Sequence, residues 1–365
     1  MEKINKLICP KTEDEIKSYW KYTDKVYISC VCIAYNHENY IRDALDSILA
    51  QKTEYRFELI IHDDKSTDNT REIILEYKEK FPNIIKLILQ EENQYSKCPR
   101  IIPLTVPYLD GNYVTICEGD DFWIDENKIN LQYSALTENN NIDICFTSAL
   151  TLDPHGNTAK ISYFDDRNKK YFDLNHVIKG GGGFMPTASI MVNKKILTEL
   201  PKWYFDAPVG DYFLQIFSSI SNGAIYIPSI SCVYRINAIN SWSNQRKNLN
   251  KVAILNEANM YEKCLYELLK YGVSSETINY AIAQQYITLS LLLIYKNNFS
   301  EAKRFILKSW KLAPKINKKQ IIIYYFRNIL PLLKMILSIK NYPVFKSHHC
   351  LKMKNLCFHS LMKKN

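Results

Sequence analysis

Three carboxylates close together in the sequence could bind a cation. Glu118, Asp120 and Asp121 directly follow residues 113–117, whose β-branched and apolar side chains predict a short buried strand. Carboxylates this close repel one another, and a hard divalent cation with oxygen ligands relieves that repulsion. The alternative is that one Asp only caps the helix predicted to begin near Trp123. The spacing favours a metal site.

A second acidic pair, Asp63 and Asp64, follows another predicted strand at residues 57–61. Residues 28–34 form a continuous apolar run, which is typical of a strand buried on both faces of a parallel sheet. In an open α/β sheet, ligands bind in the crevice beyond the carboxyl ends of the strands. We therefore expect both acidic groups at one binding edge of the sheet.

The elements that must position these acids alternate between strand and helix, which predicts a mainly parallel α/β sheet with right-handed crossovers. Neither a Gly-x-Gly-x-x-Gly after the first strand nor a Walker A lysine loop occurs, which argues against dinucleotide binding and P-loop chemistry. Asn69 and Glu72 predict a capping box at a helix start. Strands are expected at residues 28–34, 57–61, 84–89, 113–117, 142–146, 186–192, 224–227 and 230–234, with helices at 41–49, 69–81, 128–136 and from about 250 onward.

The charge of +9 is distributed unevenly along the 365 residues. Residues 1–250 carry 28 Lys and Arg against 33 Asp and Glu, whereas residues 251–365 carry 19 against 5. Such a basic region indicates either an anionic partner, such as a membrane surface, or simply a solvated helical surface. Residues 321–339 are strongly apolar but contain Arg327, Pro331 and Lys334, which fits an interfacial helix or a core helix better than a membrane span. Because the bases alternate with aliphatic stretches and no nucleic-acid module is recognisable, we expect no nucleic-acid partner.

The ten cysteines are scattered, without a CxxC pair or zinc-site spacing. Several lie in apolar strands, where a reduced thiol behaves as a small hydrophobe. Residues 1–25 are polar and unlike a signal peptide. We therefore expect a cytoplasmic protein, with peripheral attachment to the inner face of the cytoplasmic membrane as a further option.

Three segments, residues 28–36, 59–68 and 118–123, together resemble the successive motifs of family 2 glycosyltransferases. The similarity covers about residues 26–240, and the Glu-Gly-Asp-Asp-Phe-Trp form is similar to bacterial enzymes that build capsular and lipopolysaccharide chains. The resemblance implies the GT-A fold and inverting transfer of a hexosyl or N-acetylhexosaminyl group from a nucleoside diphosphate sugar, most simply a UDP-sugar, to a glycan or lipid-linked glycan. It also implies three regions: a peripheral segment at 1–25, the GT-A domain at 26–245 and a basic helical C-terminal appendage at 246–365.

The resemblance also implies roles for individual residues. Asp211 could merely cap the helix that it begins, but its position is similar to that of the family's catalytic acid, which implies a general base. Asn237 stands where many relatives have His, so its role as a third metal ligand departs from the pattern. The remaining implied roles are nucleotide-sugar binding by Ala34, Tyr35, Asn36, Asp63, Asp64, Arg100, Asp120 and Arg235, with Asp64 accepting from the uracil imide, and binding of Mg²⁺ or Mn²⁺ by Asp121 with Asp120.

A hypothesis from a different class is a GT-A-shaped scaffold protein that has lost catalysis and is held at a membrane by its basic region. Asn237 favours this alternative. The presence of every carboxylate that the chemistry requires favours the enzyme.

Overall fold

A mixed sheet forms the frame of the chain. The computed structural model describes residues 4–98, 100–165, 167–238, 241 and 246–339. Within these residues the strands are β1 (Ile28–Ala34), β2 (Phe57–Asp63), β3 (Ile85–Leu89), β4 (Tyr113–Glu118), β5 (Phe122–Trp123), β6 (Ile144–Leu152), β7 (Thr158–Ile161), β8 (Lys170–Phe172), β9 (Met191–Asn193) and β10 (Ala224–Arg235).

The strand order is β3-β2-β1-β4-β9-β6-β10-β5, with β7 paired to β6 and β8 paired to β10. Strands β3, β2, β1 and β4 are parallel neighbours, as are β6 and β10. Short β9 lies antiparallel between β4 and β6 and joins the two parallel groups. The carboxyl ends of β1, β2 and β4 consequently lie at one edge of the sheet.

Helices cover the sheet and continue beyond it. Four 3₁₀ turns occur among the described residues, at Val106–Tyr108, Thr187–Ser189, Arg246–Asn248 and Leu268–Tyr271. The α-helices are α1 (Glu13–Lys17), α2 (Ile41–Leu49), α3 (Thr70–Lys80), α4 (Ile102–Thr105), α5 (Lys128–Glu138), α6 (Leu174–Gly180), α7 (Lys194–Thr198), α8 (Lys202–Phe205), α9 (Gly210–Ser218), α10 (Lys251–Glu267), α11 (Ser275–Tyr295), α12 (Phe299–Leu312), α13 (Lys318–Tyr325) and α14 (Leu330–Ile339). The predicted α/β architecture with C-terminal helices is confirmed.

Two strand predictions need correction. The segment 186–192 begins with a 3₁₀ turn, and only Met191–Asn193 is strand. Its carbonyl groups accept hydrogen bonds from side chains instead of a neighbouring strand: Trp123 Nε1 donates to Ala188 at 2.9 Å and Gln132 Nε2 to Ser189 at 2.8 Å. The two strands predicted at 224–227 and 230–234 are one strand, β10, with register irregularities after Ile227 and Ile230.

The predicted capping box at the start of α3 is wrong. The Asn69 side chain donates to Glu38 and makes no capping hydrogen bond, while Asp68 Oδ1 accepts from the backbone N–H of Thr70 at 3.0 Å. The neighbouring turn, rather than the helix itself, determines the orientation of Asn69.

Helix α5 buries a lysine against the sheet. The Lys128 side chain is fully buried, and its Nζ donates to Thr115 Oγ1 at 2.9 Å and to Gln132 Oε1 at 2.7 Å. The Nζ also lies 4.1 Å from the centre of the Trp123 ring. Burial lowers the pKa of Lys128, so these partners must compensate a group that is costly to desolvate.

The C-terminal helices share one apolar core with the sheet. Phe213 of α9 packs on Trp203 and on Tyr261 of α10, with ring centres 5.8 and 6.1 Å apart. The Thr277 hydroxyl of α11 donates to the Asn175 side chain of α6 at 3.0 Å. The domain boundaries proposed after residues 25 and 245 stay predictions. The segments on either side of these boundaries pack together through their side chains.

The last two helices leave an apolar surface, which we call the α13–α14 patch and define as Tyr325, Ile329, Leu332, Met335 and Ile336. These side chains are 37–67% exposed. Within the part of the chain that the structure describes, no helix is both long and apolar enough to span a membrane. Residues 340–365 of the predicted basic region lie outside the described residues.

Candidate active site

The pairing register of the strands places the first candidate residues side by side, at the edge of the sheet where the parallel strands have their carboxyl ends. Ala34 at the end of β1 pairs with Asp63 on β2, and its neighbour Ile33 pairs with Glu118 on β4. Each strand ends where its apolar run meets polar residues, so the pattern that buries the strands also delivers the acids to one edge.

The turn after β1 is fixed by the turn after β2. Asn36 has a left-handed backbone (φ +56°), donates its N–H to Ser66 Oγ at 2.9 Å, and accepts from the Thr67 N–H through Oδ1 at 2.7 Å. Ala34 is buried and its carbonyl accepts from the N–H of Asp64, whereas Tyr35 is half-buried. The Asn36 side chain is therefore used within the protein, and its nucleotide-binding role stays a prediction.

Asp63 and Asp64 have different partners. Asp63 is buried and forms an ion pair with Arg71 of α3, with Nη2 to Oδ2 at 2.6 Å. Asp64 accepts from the backbone N–H groups of Gln94 at 2.7 Å and Tyr95 at 3.0 Å. Asp63 thus joins β2 to α3, and Asp64 holds the loop that carries Tyr95.

Glu118 and Asp120 differ from that pair because neither side chain has a hydrogen-bond partner in the described parts of the chain. Burial and the charges of Asp120 and Asp211 raise the pKa of Glu118 to about 8. Both side chains are half-buried. These two acids therefore bring uncompensated oxygen ligands to the edge of the sheet.

Asp121 points into the protein. It is 1% exposed, and its Oδ1 accepts from the backbone N–H of Arg235 at 2.9 Å. Burial raises the pKa of Asp121 well above its usual range, the charges of Asp120 and Glu118 add to this, and the Arg235 hydrogen bond lowers it. The geometry therefore favours Asp120 over Asp121 as the acid that faces a ligand.

Arg235, at the end of β10, holds this acidic turn. Its Nη1 donates to the backbone carbonyl of Asp120 at 2.7 Å, its Nη2 pairs with Asp43 of α2, and its guanidinium lies 4.4 Å from the centre of the Phe122 ring. These contacts position the Asp120–Phe122 backbone. The predicted phosphate contact of Arg235 stays a prediction.

Close packing at Gly119 explains why glycine separates the acids. A Cβ there would lie 2.7 Å from His37 Nδ1 and 2.9 Å from Ile41 Cδ1. Since such distances are too short for a carbon atom, any larger residue would displace the His37 and Ile41 side chains, and glycine lets the turn approach the β1–α2 connection without that displacement.

Asp211 approaches the same group from the first turn of α9. Its Oδ1 accepts from the Tyr212 N–H at 2.7 Å. Burial raises the pKa of Asp211, while that hydrogen bond and the charges of Arg100 and Arg246 lower it. Since the charge of Asp211 in turn raises the pKa of Glu118, the two acids lie within electrostatic reach of each other.

Arg100 is 5% exposed, and its Nε donates to the Tyr204 carbonyl at 3.3 Å. Arg100 also lies beside the first residue of α9, because a Cβ on Gly210 would be 3.6 Å from its Cδ, and the acids of β4 and α9 and this guanidinium are within electrostatic reach of one another. Asn237, two residues beyond β10, has a left-handed backbone (φ +58°), and its role as a metal ligand stays a prediction.

Residues 29–200 match the family model described as Glycosyl transferase family 2. This segment is a family 2 glycosyltransferase domain. The chain spans about 60% of the length of uncharacterised mycobacterial relatives, to which it is 32% identical over 225 residues.

A named relative is the Escherichia coli UDP-Glc:alpha-D-GlcNAc-diphosphoundecaprenol beta-1,3-glucosyltransferase WfgD, 33% identical over 117 residues, which cover 32% of this chain and 44% of WfgD. Among solved structures, S. aureus TarS 1–349 in complex with UDP-GlcNAc has a TM-score of 0.57 at 15% identity, covering 87% of this chain and 89% of that one. The mannosyltransferase PcManGT from Pyrobaculum calidifontis, in complex with GDP-Man and Mn2+, has a TM-score of 0.51 at 14% identity, covering 90% and 93%. These similarities confirm the predicted GT-A fold.

The residues of the glycosyltransferase domain fit a divalent cation that takes few protein ligands. Glu118 and Asp120 supply carboxylate oxygens, the donor type that Mg²⁺ prefers. No group of three or more His, Cys, Asp or Glu with metal-site spacing occurs among the described residues. A cation here would therefore complete its coordination with water and the phosphates of a ligand, as Mg²⁺ commonly does.

Two contributors to the pocket were not predicted. The charges of Glu118, Asp211, Arg100 and Arg246 all act on the Tyr95 hydroxyl, whose pKa is raised chiefly by partial burial. Neither Tyr95 nor Arg246 has a sequence signal, because neither lies in a strand or an α-helix whose apolar periodicity could place it beside the acids. The one available hint for Arg246 was that residues 235–246 do not follow the apolar periodicity of a strand or a helix.

Proposed function

We propose that the protein transfers a sugar from a nucleoside diphosphate sugar to an acceptor hydroxyl, with inversion at the anomeric carbon. The observation that supports this most is that Glu118, Asp120 and Asp211 converge from two separate elements while the first two lack hydrogen-bond partners among the described residues. Such convergent, electrostatically strained carboxylates are typical of catalytic sites.

The donor would lie along the carboxyl ends of β1 and β2. Residues 34–36 supply backbone groups, and Asp64 would accept from the base, with UDP as the favoured nucleotide. That role requires the Gln94 and Tyr95 N–H groups to share the Asp64 carboxylate or release it, since each carboxylate oxygen has two lone pairs. The domain's similarity to proteins solved with UDP-GlcNAc or GDP-Man supports a nucleotide-sugar donor.

The cation, Mg²⁺ or Mn²⁺, would be held by Asp120 with Glu118, and Asn237 is a candidate further ligand. When bound, it stabilises the negative charge that develops on the diphosphate leaving group. Asp121 and Arg235 would fix the turn that carries Asp120, and Arg100 would contribute positive charge near the phosphates.

Asp211 would act as the general base. Its carboxylate takes the proton from the acceptor hydroxyl as that oxygen attacks the anomeric carbon on the face opposite the diphosphate. The bond to the diphosphate breaks as the new glycosidic bond forms, and the proton remains on Asp211 until solvent removes it. A base in this position commonly contributes about 10² to 10⁴ in rate.

A thermal-shift titration tests the donor site. UDP, GDP, CDP and dTDP are added to the purified protein with and without Mn²⁺, and the titration is repeated on Asp120→Asn and on the control Asp110→Asn. Asp110 lies before the opposite end of β4 and is exposed. We expect UDP with Mn²⁺ to stabilise the wild type and the control but not Asp120→Asn. No stabilisation by any nucleotide of the folded wild type would contradict the proposal and favour the inactive scaffold.

The acceptor would be a growing surface glycan or a lipid-linked glycan. WfgD, by its name, acts on a diphosphoundecaprenol-linked sugar, which supports a lipid-linked acceptor for this chain as well. Transfer of radiolabelled sugar into an organic-solvent extract of membranes would identify such an acceptor, and label confined to the aqueous glycan would contradict it.

We further propose that the α13–α14 patch and the basic region bind an anionic membrane surface. The exposed apolar side chains lie in a segment where no acidic residue follows Glu301, and apolar burial combined with basic charge is the usual basis of interfacial binding. We expect co-sedimentation with phosphatidylglycerol vesicles, but not with phosphatidylcholine vesicles or DNA. Leu332→Glu with Met335→Glu should abolish it, whereas Leu75→Glu, at an exposed position on α3, should not.

A further inference from the structure

A buried ion pair connects the C-terminal helices to the pocket. Arg246, in the 3₁₀ turn before α10, contacts Glu257 of α10 with Nη1 to Oε1 at 2.6 Å. Both side chains are only 11% exposed. Removing two charges from water is costly, and an apolar pair of similar size would often be equally stable. The pair therefore calls for a reason other than stability.

The position of the pair provides that reason. Arg246 is close enough to Asp211 for its charge to act on that carboxylate, and its charge also acts on the Tyr95 hydroxyl. The charges of Glu257, Arg246 and Asp211 all act on the pKa of Tyr261, which lies on α10. Helix α10 also packs on α9, the helix that begins beside Asp211, through Tyr261 and Phe213 with ring centres 6.1 Å apart. Glu257 therefore holds Arg246 where these two helices meet.

We propose that Glu257 is a positioning residue that holds Arg246 beside Asp211, so that α10 completes the catalytic pocket. This rests on the proposed function of Asp211 as the base. Arg246 would keep the Asp211 carboxylate and the incoming hydroxyl in place, whereas donor binding at the ends of β1, β2 and β4 would not require it. The C-terminal helical region is then part of the transferase rather than an appendage.

The geometry of α10 provides a matched control. Glu262, on the same helix, pairs with Lys308 of α12 at 2.9 Å, and its side chain is 21% exposed. Removing its charge tests the effect of losing an acid and an ion pair from this helix without touching Arg246.

The experiment measures UDP release from UDP-glucose and UDP-GlcNAc with Mn²⁺, with water or an added acceptor extract receiving the sugar. We compare Glu257→Gln, Arg246→Met, the double variant, Arg246→Lys and Glu262→Gln. We expect kcat to fall about 10²-fold in Glu257→Gln and Arg246→Met, since a small misplacement at a reaction centre costs that much. KM for the donor should stay within about twofold, because the pair contributes to the chemical step rather than to donor binding.

Two comparisons separate positioning from a structural role. The double variant should lose no more activity than either single variant, because Glu257 acts through Arg246. Arg246→Lys should recover part of the activity by restoring the charge, and Glu262→Gln should match the wild type. Each variant is also titrated with UDP and Mn²⁺ by thermal shift, which shows that it is folded and still binds the nucleotide.

Activity of Glu257→Gln within about twofold of the wild type, or additive losses in the double variant, would overturn the inference while leaving the proposed function intact. A folded wild type that neither binds nor releases UDP would overturn the proposed function itself. If Glu257→Gln does not fold, the activities of Arg246→Lys and Arg246→Met are compared instead, because both variants leave Glu257 in place.

Discussion

Two acidic groups end the strands that flank β1 in one sheet, yet their surroundings differ. At the end of β2, Asp63 is paired with Arg71 and Asp64 accepts two backbone N–H groups. At the end of β4, Glu118 and Asp120 have no such partners among the described residues, and burial with mutual repulsion raises the pKa of Glu118. The charges of the first group are compensated within the protein, whereas Glu118 and Asp120 have no compensating side-chain partner among the described residues.

The comparison shows that residue type and strand position do not determine what a carboxylate does. Both groups are acids at the carboxyl end of a parallel strand, and both were predicted to bind the donor. Compensated charges hold structure together, while uncompensated ones are costly unless a ligand or cation neutralises them. Substitutions in the two groups should therefore affect different properties.

The largest effect should follow from Asp211→Asn, which removes the acid that lies near the β4 group. We expect turnover to fall about 10² to 10⁴-fold, with stabilisation by UDP and Mn²⁺ retained. UDP release and thermal shift measure the two properties. Asp206→Asn, at an exposed position paired with Lys263, is the control, and near-normal turnover of Asp211→Asn would show that another group is the base.

Asp63→Asn should affect stability. It leaves the half-buried Arg71 without its ion-pair partner, and we expect a loss of about 3 kcal/mol in the free energy of unfolding. Urea denaturation measures it. Glu76→Gln breaks the exposed pair between α3 and Arg42 and should change stability by less than about 1 kcal/mol. Equal effects of the two substitutions would mean that burial of the Asp63 pair is unimportant.

Asp120→Asn should affect ligand binding and leave the stability of the unliganded protein intact. The apo protein should be as stable as the wild type or more so, because a repelling charge is removed. Stabilisation by UDP with Mn²⁺, about 2.7 kcal/mol at 100 times Kd in the wild type, should be lost. Calorimetry with and without both ligands checks this, and a loss of apo stability like that of Asp63→Asn would remove the distinction between the two groups.

The smallest effect concerns pH. A carboxyl whose pKa is higher in the folded than in the unfolded protein stays protonated only when folded, so stability falls as pH rises toward the folded value. For Glu118, whose pKa rises from 4.5 to about 8, apo stability should fall between these two values, and over pH 6.5 to 8 the slope is at most about 1.4 kcal/mol per pH unit. Melting temperatures of the wild type and Glu118→Gln across this range check it, and identical slopes would contradict the shift.

The sequence was sufficient to predict which strands bring acids to one edge of the sheet, because apolar runs ending in acids mark buried parallel strands directly. Strand β1 has the predicted bounds, and β4 extends the prediction by one residue. The segment 186–192 was misread because the side chains that satisfy its backbone, those of Trp123 and Gln132, are distant in sequence. Local pattern carries no information about such partners.

The same limit applies within the site. Nothing near Asp63 in the motif distinguishes it from Asp120. The distinction depends on Arg71, in the first turn of α3, and on a pairing that only tertiary structure reveals. Arg246 acts on Asp211 from 35 positions further along the chain, and Tyr95 acts from an irregular loop 23 positions before Glu118. Roles that depend on such contacts cannot be predicted from spacing.

Lys128 has a practical consequence for studying this protein. Because its amine is fully enclosed between α5 and the sheet, reagents that acylate lysine can reach it only when that helix separates from β4. The rate at which mass spectrometry detects its modification, relative to that of surface lysines, would report how often this part of the molecule opens. The residue is thus a natural internal probe, already present without any introduced label.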